Sequence, residues 1–203
     1  MDPNALRIYL DSNLVQYASY MMNDPNFHDD FIFYDDTLSA SPTYSKKVAS
    51  SGERWHDEMK ALRFILDMDD QIPMVFVTSK VTLEEIQRAP KGKSDAVKKV
   101  YESLMLPGNP IRWRLGKGRG RPPTKETLMG LQQLLSDLGD ARHVYYSLLL
   151  RCNVFLTCDH RTILVHAEQL KAFGVKAMSP YQLMVNWYGK GLWRRGAGLG
   201  VVR

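Results

Sequence analysis

The chain has 203 residues, 44% of them hydrophobic, which is enough for one sizeable core and needs only one domain. No apolar run approaches the ~20 residues of a membrane span, and Met1-Asp2-Pro3-Asn4 lacks the basic start and apolar middle of a signal peptide, so a cytoplasmic protein without membrane contact is expected. A net charge of +5 and a pI near 9.1 favour an anionic partner.

Leu6–Leu10 reads as a first strand and Asn13–Met22 as a helix. A polar stretch with aromatic residues and prolines then runs to Gly52. Met59, Leu62, Ile65 and Leu66 recur at helical spacing, Ile72–Thr78 is β-rich, and a helix starts near Thr82. Ala96, Val97, Val100, Tyr101 and Leu104 mark another amphipathic helix, stopped by Pro107-Gly108, and Ile111–Leu115 reads as a short strand. Leu128, Leu131, Leu134, Leu135 and Leu138 form one helical stripe broken at Gly139. A helix from Asp140 leads into the strand Asn153–Cys158; Ile163 to Phe173 is the next helix, stopped by Gly174. Val175–Met178 is a last strand before the helix Tyr181–Tyr188, and residues 189–203 form a Gly/Arg-rich tail. Strands alternate with helices throughout, which predicts a mostly parallel sheet covered on both faces. Cys152 and Cys158 lack metal-ligand spacing and are expected to be reduced and structural.

Four acids stand at matching places in this pattern. Asp11 follows the first strand, Glu85 lies in the helix after Val75-Phe76-Val77-Thr78, Asp140 opens a helix, and Asp159 follows Val154–Cys158. In a parallel sheet the strand C-termini and their loops gather along one edge, where ligands bind. Carboxylates brought together there repel one another unless a cation neutralises them, and hard oxygen donors suit Mg²⁺ or Mn²⁺. Each acid also has a local role open to it. Thr82-Leu83-Glu84-Glu85 fits a capping box, Asp140 and Asp159 fit helix N-caps, and Asp11 fits a strand terminus. All four falling on one predicted edge favours function.

The segments Ile8-Tyr9-Leu10-Asp11-Ser12-Asn13, Thr78 to Ile86, Gly139-Asp140-Ala141-Arg142-His143 and Phe155-Leu156-Thr157-Cys158-Asp159, followed by Val175 to Pro180, occur in a telling order and spacing. In these the chain resembles the PIN-domain nucleases over most of residues 6–185. The resemblance implies a three-layer α/β/α sandwich around a mostly parallel sheet of four or five strands, spanning residues 1–188. It also implies a divalent-metal site, Mg²⁺ or Mn²⁺, and hydrolysis of phosphodiester bonds, usually in RNA. On position, Asp11, Glu85, Asp140 and Asp159 carry over as the acidic set, with Asn13 and Thr157 as supporting polar groups.

The stretch between Asp11 and the second strand is longer than such a domain needs, so residues from about 23 to 57 look like an insertion. Glu84 competes with Glu85, which is preferred because it directly precedes Ile86. Asp137 could add a ligand, but reads more simply as the polar end of the preceding helix. His143 and His160 lie one helical turn and one residue from acids of the set, which leaves a catalytic role open, but they read more simply as surface or packing residues. Asn13 could orient Asp11 or simply cap the following helix.

Arg112, Arg114, Lys117, Arg119 and Arg121 place five cations in ten residues of a loop at 112–123. After a parallel strand this loop would lie on the carboxylate edge, where its arginines could grip phosphates. Trp113 offers a stacking surface or a buried anchor, and Trp193-Arg194-Arg195 would extend the basic surface. Gly118 to Pro123 also resembles an AT-hook, which lays Arg-Gly-Arg into the minor groove of A·T-rich DNA. A solvated loop without a partner is the alternative.

The leading expectation is a PIN-type endoribonuclease acting on single-stranded or structured RNA, with an inhibitor or antitoxin-like protein and a second copy of the chain as further candidate partners. A catalytically silent nucleic-acid-binding module and a DNA-directed nuclease are the competing readings.

Overall fold

Short runs of aliphatic and aromatic residues, apolar at every position except Arg7, can be strands only if both faces are covered. That is how they are used. In the computed structural model, residues 5–22, 53–67, 73–88 and 123–189 are described. The helix read at Ala96–Leu104, the strand at Ile111–Leu115, the cations Arg112, Arg114, Lys117, Arg119 and Arg121, and the tail lie outside them. Four strands, β1 (Leu6–Leu10), β2 (Met74–Val77), β3 (Val154–Leu156) and β4 (Ala177–Met178), form one sheet in the order β2-β1-β3-β4. Every pairing is parallel, with Tyr9 opposite Val77 on one side and Phe155 on the other. The mostly parallel sheet expected of the sequence is, among the described residues, wholly parallel.

Alternation along the strands divides the core in two. Ile8, Leu10, Met74, Phe76, Val154 and Leu156 face a layer built with helices α1 (Ser12–Met22), α2 (Glu53–Asp67) and the C-terminal helix Pro180–Gly189. Tyr9, Val75, Val77, Phe155 and Ala177 face the opposite layer. That layer holds α4 (Lys125–Leu134) and α5 (Leu138–Leu149), with a run of short helical turns from Leu164 to Phe173. Helix α3 (Lys80–Arg88) packs against both α1 and α5. The result is a three-layer α/β/α fold.

Met59, Leu62, Ile65 and Leu66 are all buried, as their spacing predicts, and the helix that carries them already starts at Glu53. The leucine stripe is corrected. Leu128 to Leu138 is not one helix: α4 ends at Leu134, Leu135 is extended, and Leu138 begins α5 with 54% of its surface exposed. The cause is Asp137, whose side chain accepts from the Asp140 N–H at 3.0 Å and caps α5. Gly139, read as a breaker, sits in the first turn of α5. The helix expected from Ile163 to Phe173 is three short pieces, 3₁₀ (Leu164–His166), α6 (Ala167–Leu170) and 3₁₀ (Lys171–Phe173). Gly174 stops it in the left-handed region at φ +81°, as its placement predicts. With α6 counted, Pro180–Gly189 is α7.

Candidate active site

Period-two geometry continues past the strand ends and builds the site. Tyr9 and Phe155 stack with ring centroids 5.2 Å apart on the α4/α5 face of the sheet. Two residues on, Asp11 and Thr157 meet as well, the Thr157 hydroxyl donating to Asp11 Oδ2 at 2.6 Å. The Ser12 N–H donates to Asp11 Oδ1 at 2.7 Å. The Asp11 backbone carbonyl also accepts from Leu14 and Val15, so the residue that ends β1 starts α1. Asp11 is buried. Burial raises its pKa and Glu85 adds to the rise, while His143, Thr157 and Ser12 oppose it.

The second carboxylate comes from α3. The capping box at Thr82 does not form. Ser79 caps this helix instead, accepting from the Val81 N–H at 3.2 Å, while the Thr82 hydroxyl lies inside the helix, 2.6 Å from that of Thr78. Glu85 is thereby released from a capping role. Its Oε2 lies 3.1 Å from His143 Nε2, and its Oε1 lies so close to Gly139 that a Cβ there would approach it to 3.0 Å. Glu84 points elsewhere and pairs with Arg142 at 2.9 Å. The pKa of Glu85 is lowered: burial opposes this, and His143, Ser12 and Arg88 outweigh it.

The other two acids meet through one hydroxyl. Thr162 Oγ1 lies 2.7 Å from Asp140 Oδ2 and 2.6 Å from Asp159 Oδ2. Asp159 is not a helix N-cap; it folds a turn, accepting from the N–H groups of Arg161 and Thr162. Asp140 is not a cap either, since Asp137 occupies that place. Asp159 is held below its ordinary value: burial opposes this, while Thr162, the backbone N–H groups of Thr162 and Arg161, and His160 lower it. Asp140 is pushed up from 3.8 to about 6 by burial and by the charges of Asp11, Asp137 and Asp159, against the Thr162 hydrogen bond. His160 lies 3.3 Å from Glu58 on α2, whose other oxygen accepts from the Tyr181 N–H at the start of α7. Buried Glu58 thus braces the Asp159 turn from the opposite layer.

These links close a ring. Thr157 joins Asp11 to the Asp159 turn by also accepting from the Asp159 N–H at 3.0 Å, Thr162 joins Asp159 to Asp140, and α5 carries Asp140 and His143 one turn apart. His143 then faces Glu85 at 3.1 Å and Asp11 at 4.0 Å. The sequence offered little sign of His143, Tyr9 or Thr162 as site residues. The available signal was spacing: His143 is three residues past Asp140, and Tyr9 two before Asp11.

Among the described residues, no group of three or more His, Cys, Asp and Glu side chains stands ready to hold a metal ion. The donor chemistry nonetheless fits a hard divalent cation. Mg²⁺ keeps several waters and commonly takes only one or two carboxylates from the protein. Asp11, Asp137 and Asp159 raise the proton affinity of Asp140, and Glu85 that of Asp11, so positive charge is favoured among them. Asn13 Oδ1, on the second residue of α1, is buried without a hydrogen-bond partner, an oxygen donor in reserve. Asn13 does not orient Asp11; Ser12 and Thr157 do. No family model matches the chain, and no curated protein or solved structure is significantly similar to it.

Proposed function

We propose that this protein is a divalent-metal-dependent endoribonuclease of the PIN type. The observation that carries the reading is the meeting of Asp140 and Asp159 on one hydroxyl, with Asp11 tied to the same turn through Thr157. Crowded carboxylates at the C-terminal edge of a parallel sheet are costly in a protein that makes no use of them. In this reading Asp11 and Asp159 hold the ion, because strand-end backbone and two or more hydrogen bonds fix each of them. Glu85 and Asp140 complete the shell directly or through water. Bound Mg²⁺ or Mn²⁺ supplies a water of lowered pKa and stabilises charge on the phosphate. No side chain acts as a covalent nucleophile.

RNA is favoured by the net charge and by the resemblance of the motifs, and the cations Arg112 to Arg121 would grip its phosphates. The test is cleavage of labelled single-stranded RNA and DNA with Mg²⁺, Mn²⁺ or EDTA, using the wild type and Asp11→Asn. Metal-dependent RNA cleavage that disappears in the variant is the expected result. Cleavage of DNA alone would move the reading to a DNA-directed nuclease. Binding of RNA without cleavage under any metal would leave a silent binding module.

A further inference from the structure

His143 is buried, carries a polar partner on each side, and has no place in the acidic set. Its Nδ1 lies 2.9 Å from the Tyr9 hydroxyl, which lies 2.7 Å from Ser79 Oγ, which accepts from the Val81 N–H at the start of α3. Its Nε2 lies 3.1 Å from Glu85 and 4.0 Å from Asp11, off the line of a straight hydrogen bond to either. One order suits every group. Ser79 Oγ accepts from Val81 and its own O–H finds an acceptor in the Tyr9 oxygen; the Tyr9 O–H then serves Nδ1, and the ring proton falls on Nε2, where a bare lone pair would face two carboxylates. When the ring is charged, the Tyr9–Ser79 link reverses direction and Nε2–H stays where it is.

We propose that Ser79, Tyr9 and His143 form a hydrogen-bonded lock that aims the His143 Nε2–H between Glu85 and Asp11 and so holds Glu85 at the metal site. Tyr9 and His143 are positioning residues, and this role rests on the reading of the four acids as cation ligands. The lock draws on three elements: Tyr9 lies in β1, which Asp11 follows, Ser79 caps α3, which carries Glu85, and His143 shares α5 with Asp140. It needs no movement to work: the Tyr9 ring is pinned by its stack on Phe155, and a wrong tautomer would set two N–H or two lone-pair groups against each other in a buried space.

Two measurements on the full chain test it. The first is the tautomer of His143 in metal-free protein, read from its ring ¹⁵N shifts at a pH where the ring is neutral. The wild type should carry the proton on Nε2, and Tyr9→Phe, which keeps the stack but removes the hydroxyl, should lose that preference. A proton on Nδ1 in the wild type, or an unchanged tautomer in Tyr9→Phe, overturns the lock. The second is direct Mn²⁺ binding, read by the resonance signal of the free ion. Partners behind metal ligands typically contribute about 10–100-fold in affinity, so His143→Leu should bind Mn²⁺ at least ~10-fold more weakly. His143→Gln, whose amide N–H can stand near Nε2, should recover most of that deficit. Equal affinities in wild type and His143→Leu, or a glutamine variant no better than leucine, overturn the positioning role. A wild type that takes up no Mn²⁺ removes the metal reading itself and leaves the tautomer measurement to decide the lock.

Discussion

The two halves of the acidic cluster are held in different ways. Asp11 sits in a buried network in which Thr157, Ser12 and His143 each occupy a defined direction. Asp140 and Asp159 lie nearer to solvent and share a single threonine hydroxyl. One O–H proton cannot serve two carboxylates at once, so that half is short of one positive hydrogen in the metal-free protein. The first half is preorganised by the fold; in the second, two backbone N–H groups fix Asp159, and Asp140, held through the shared hydroxyl, waits for charge. A cation should therefore add little order around Asp11 and considerably more around Thr162.

The strongest way to break this comparison is to remove one acid from each half. Asp11→Asn and Asp159→Asn should each abolish metal-dependent cleavage, an effect beyond the ~10–100-fold typical of changes behind the ligands. Their metal-free stabilities should differ. Asp11→Asn relieves a buried charge and keeps an oxygen for Thr157 but turns an NH2 toward the Ser12 N–H; the two effects offset, so the urea midpoint should change little. Asp159→Asn forfeits charged acceptance from the N–H groups of Arg161 and Thr162 and should unfold earlier. Cleavage at wild-type rates in both variants, under identical metal conditions, would place the chemistry elsewhere.

Grip is separable from chemistry. Arg119→Ala with Arg121→Ala should flatten the dependence of log affinity on log salt by about one unit for each phosphate no longer gripped, while turnover at saturating RNA changes far less. Weakening concentrated on A·T-rich duplex DNA would instead mark an AT-hook. Unchanged affinity for both would make the loop a solvated connection.

Asp140 gives the crowded half a pH signature. Its pKa is raised from 3.8 to about 6, so between those values the folded protein binds the proton more tightly than the unfolded chain. Its share of stability is present at low pH and is lost as pH rises through about 6. Asp159 has the opposite sign: its pKa is lowered, and its share is lost only as pH falls below the ordinary carboxylate range. Asp140→Asn should therefore stabilise the metal-free protein at pH 7 by ~1 kcal/mol, after allowance for screening at a partly exposed group, and flatten its stability between pH 4 and 6. Divalent cation should stabilise the wild type more than this variant. Identical urea midpoints at pH 4.5 and 7 in the wild type would remove the crowding argument.

The two halves also differ in how far the sequence reveals them. Strand positions and the acids after them were legible, because a run such as Ile8-Tyr9-Leu10 admits few other structures and Asp11 marks its end. Alternation even foretells that Tyr9 and Asp11 share a face. Tertiary partners were not legible: spacing from Asp140 alone sets His143 apart from a packing histidine, and its neighbours come from β1 and α3. Thr162 is hidden for another reason. Asp159 reads as a helix cap, and only the turn it actually makes brings Thr162 back between two carboxylates. The leucine stripe misled because Leu138 keeps the period of α4, while the cap at Asp137 has already started α5.

The smallest expected effect tests the choice between adjacent glutamates. Glu84 and Glu85 are neighbours on α3, yet Glu84 pairs with Arg142 at a partly exposed surface while Glu85 faces His143. Exposed ion pairs contribute about 0.2–1 kcal/mol. Glu84→Gln should therefore lower the melting temperature by only ~1–4 °C for a chain of this size and leave metal affinity and cleavage unchanged. Glu85→Gln should do the reverse. It replaces a carboxylate whose charge the site stabilises, as its lowered pKa records, so metal affinity should fall while the fold persists. Thermal melts and Mn²⁺ binding on the two variants give the answer together. If Glu84→Gln weakens metal binding as much as Glu85→Gln does, the ion pair with Arg142 is itself part of the site, because it would then be setting the angle at which α3 presents Glu85 to α5.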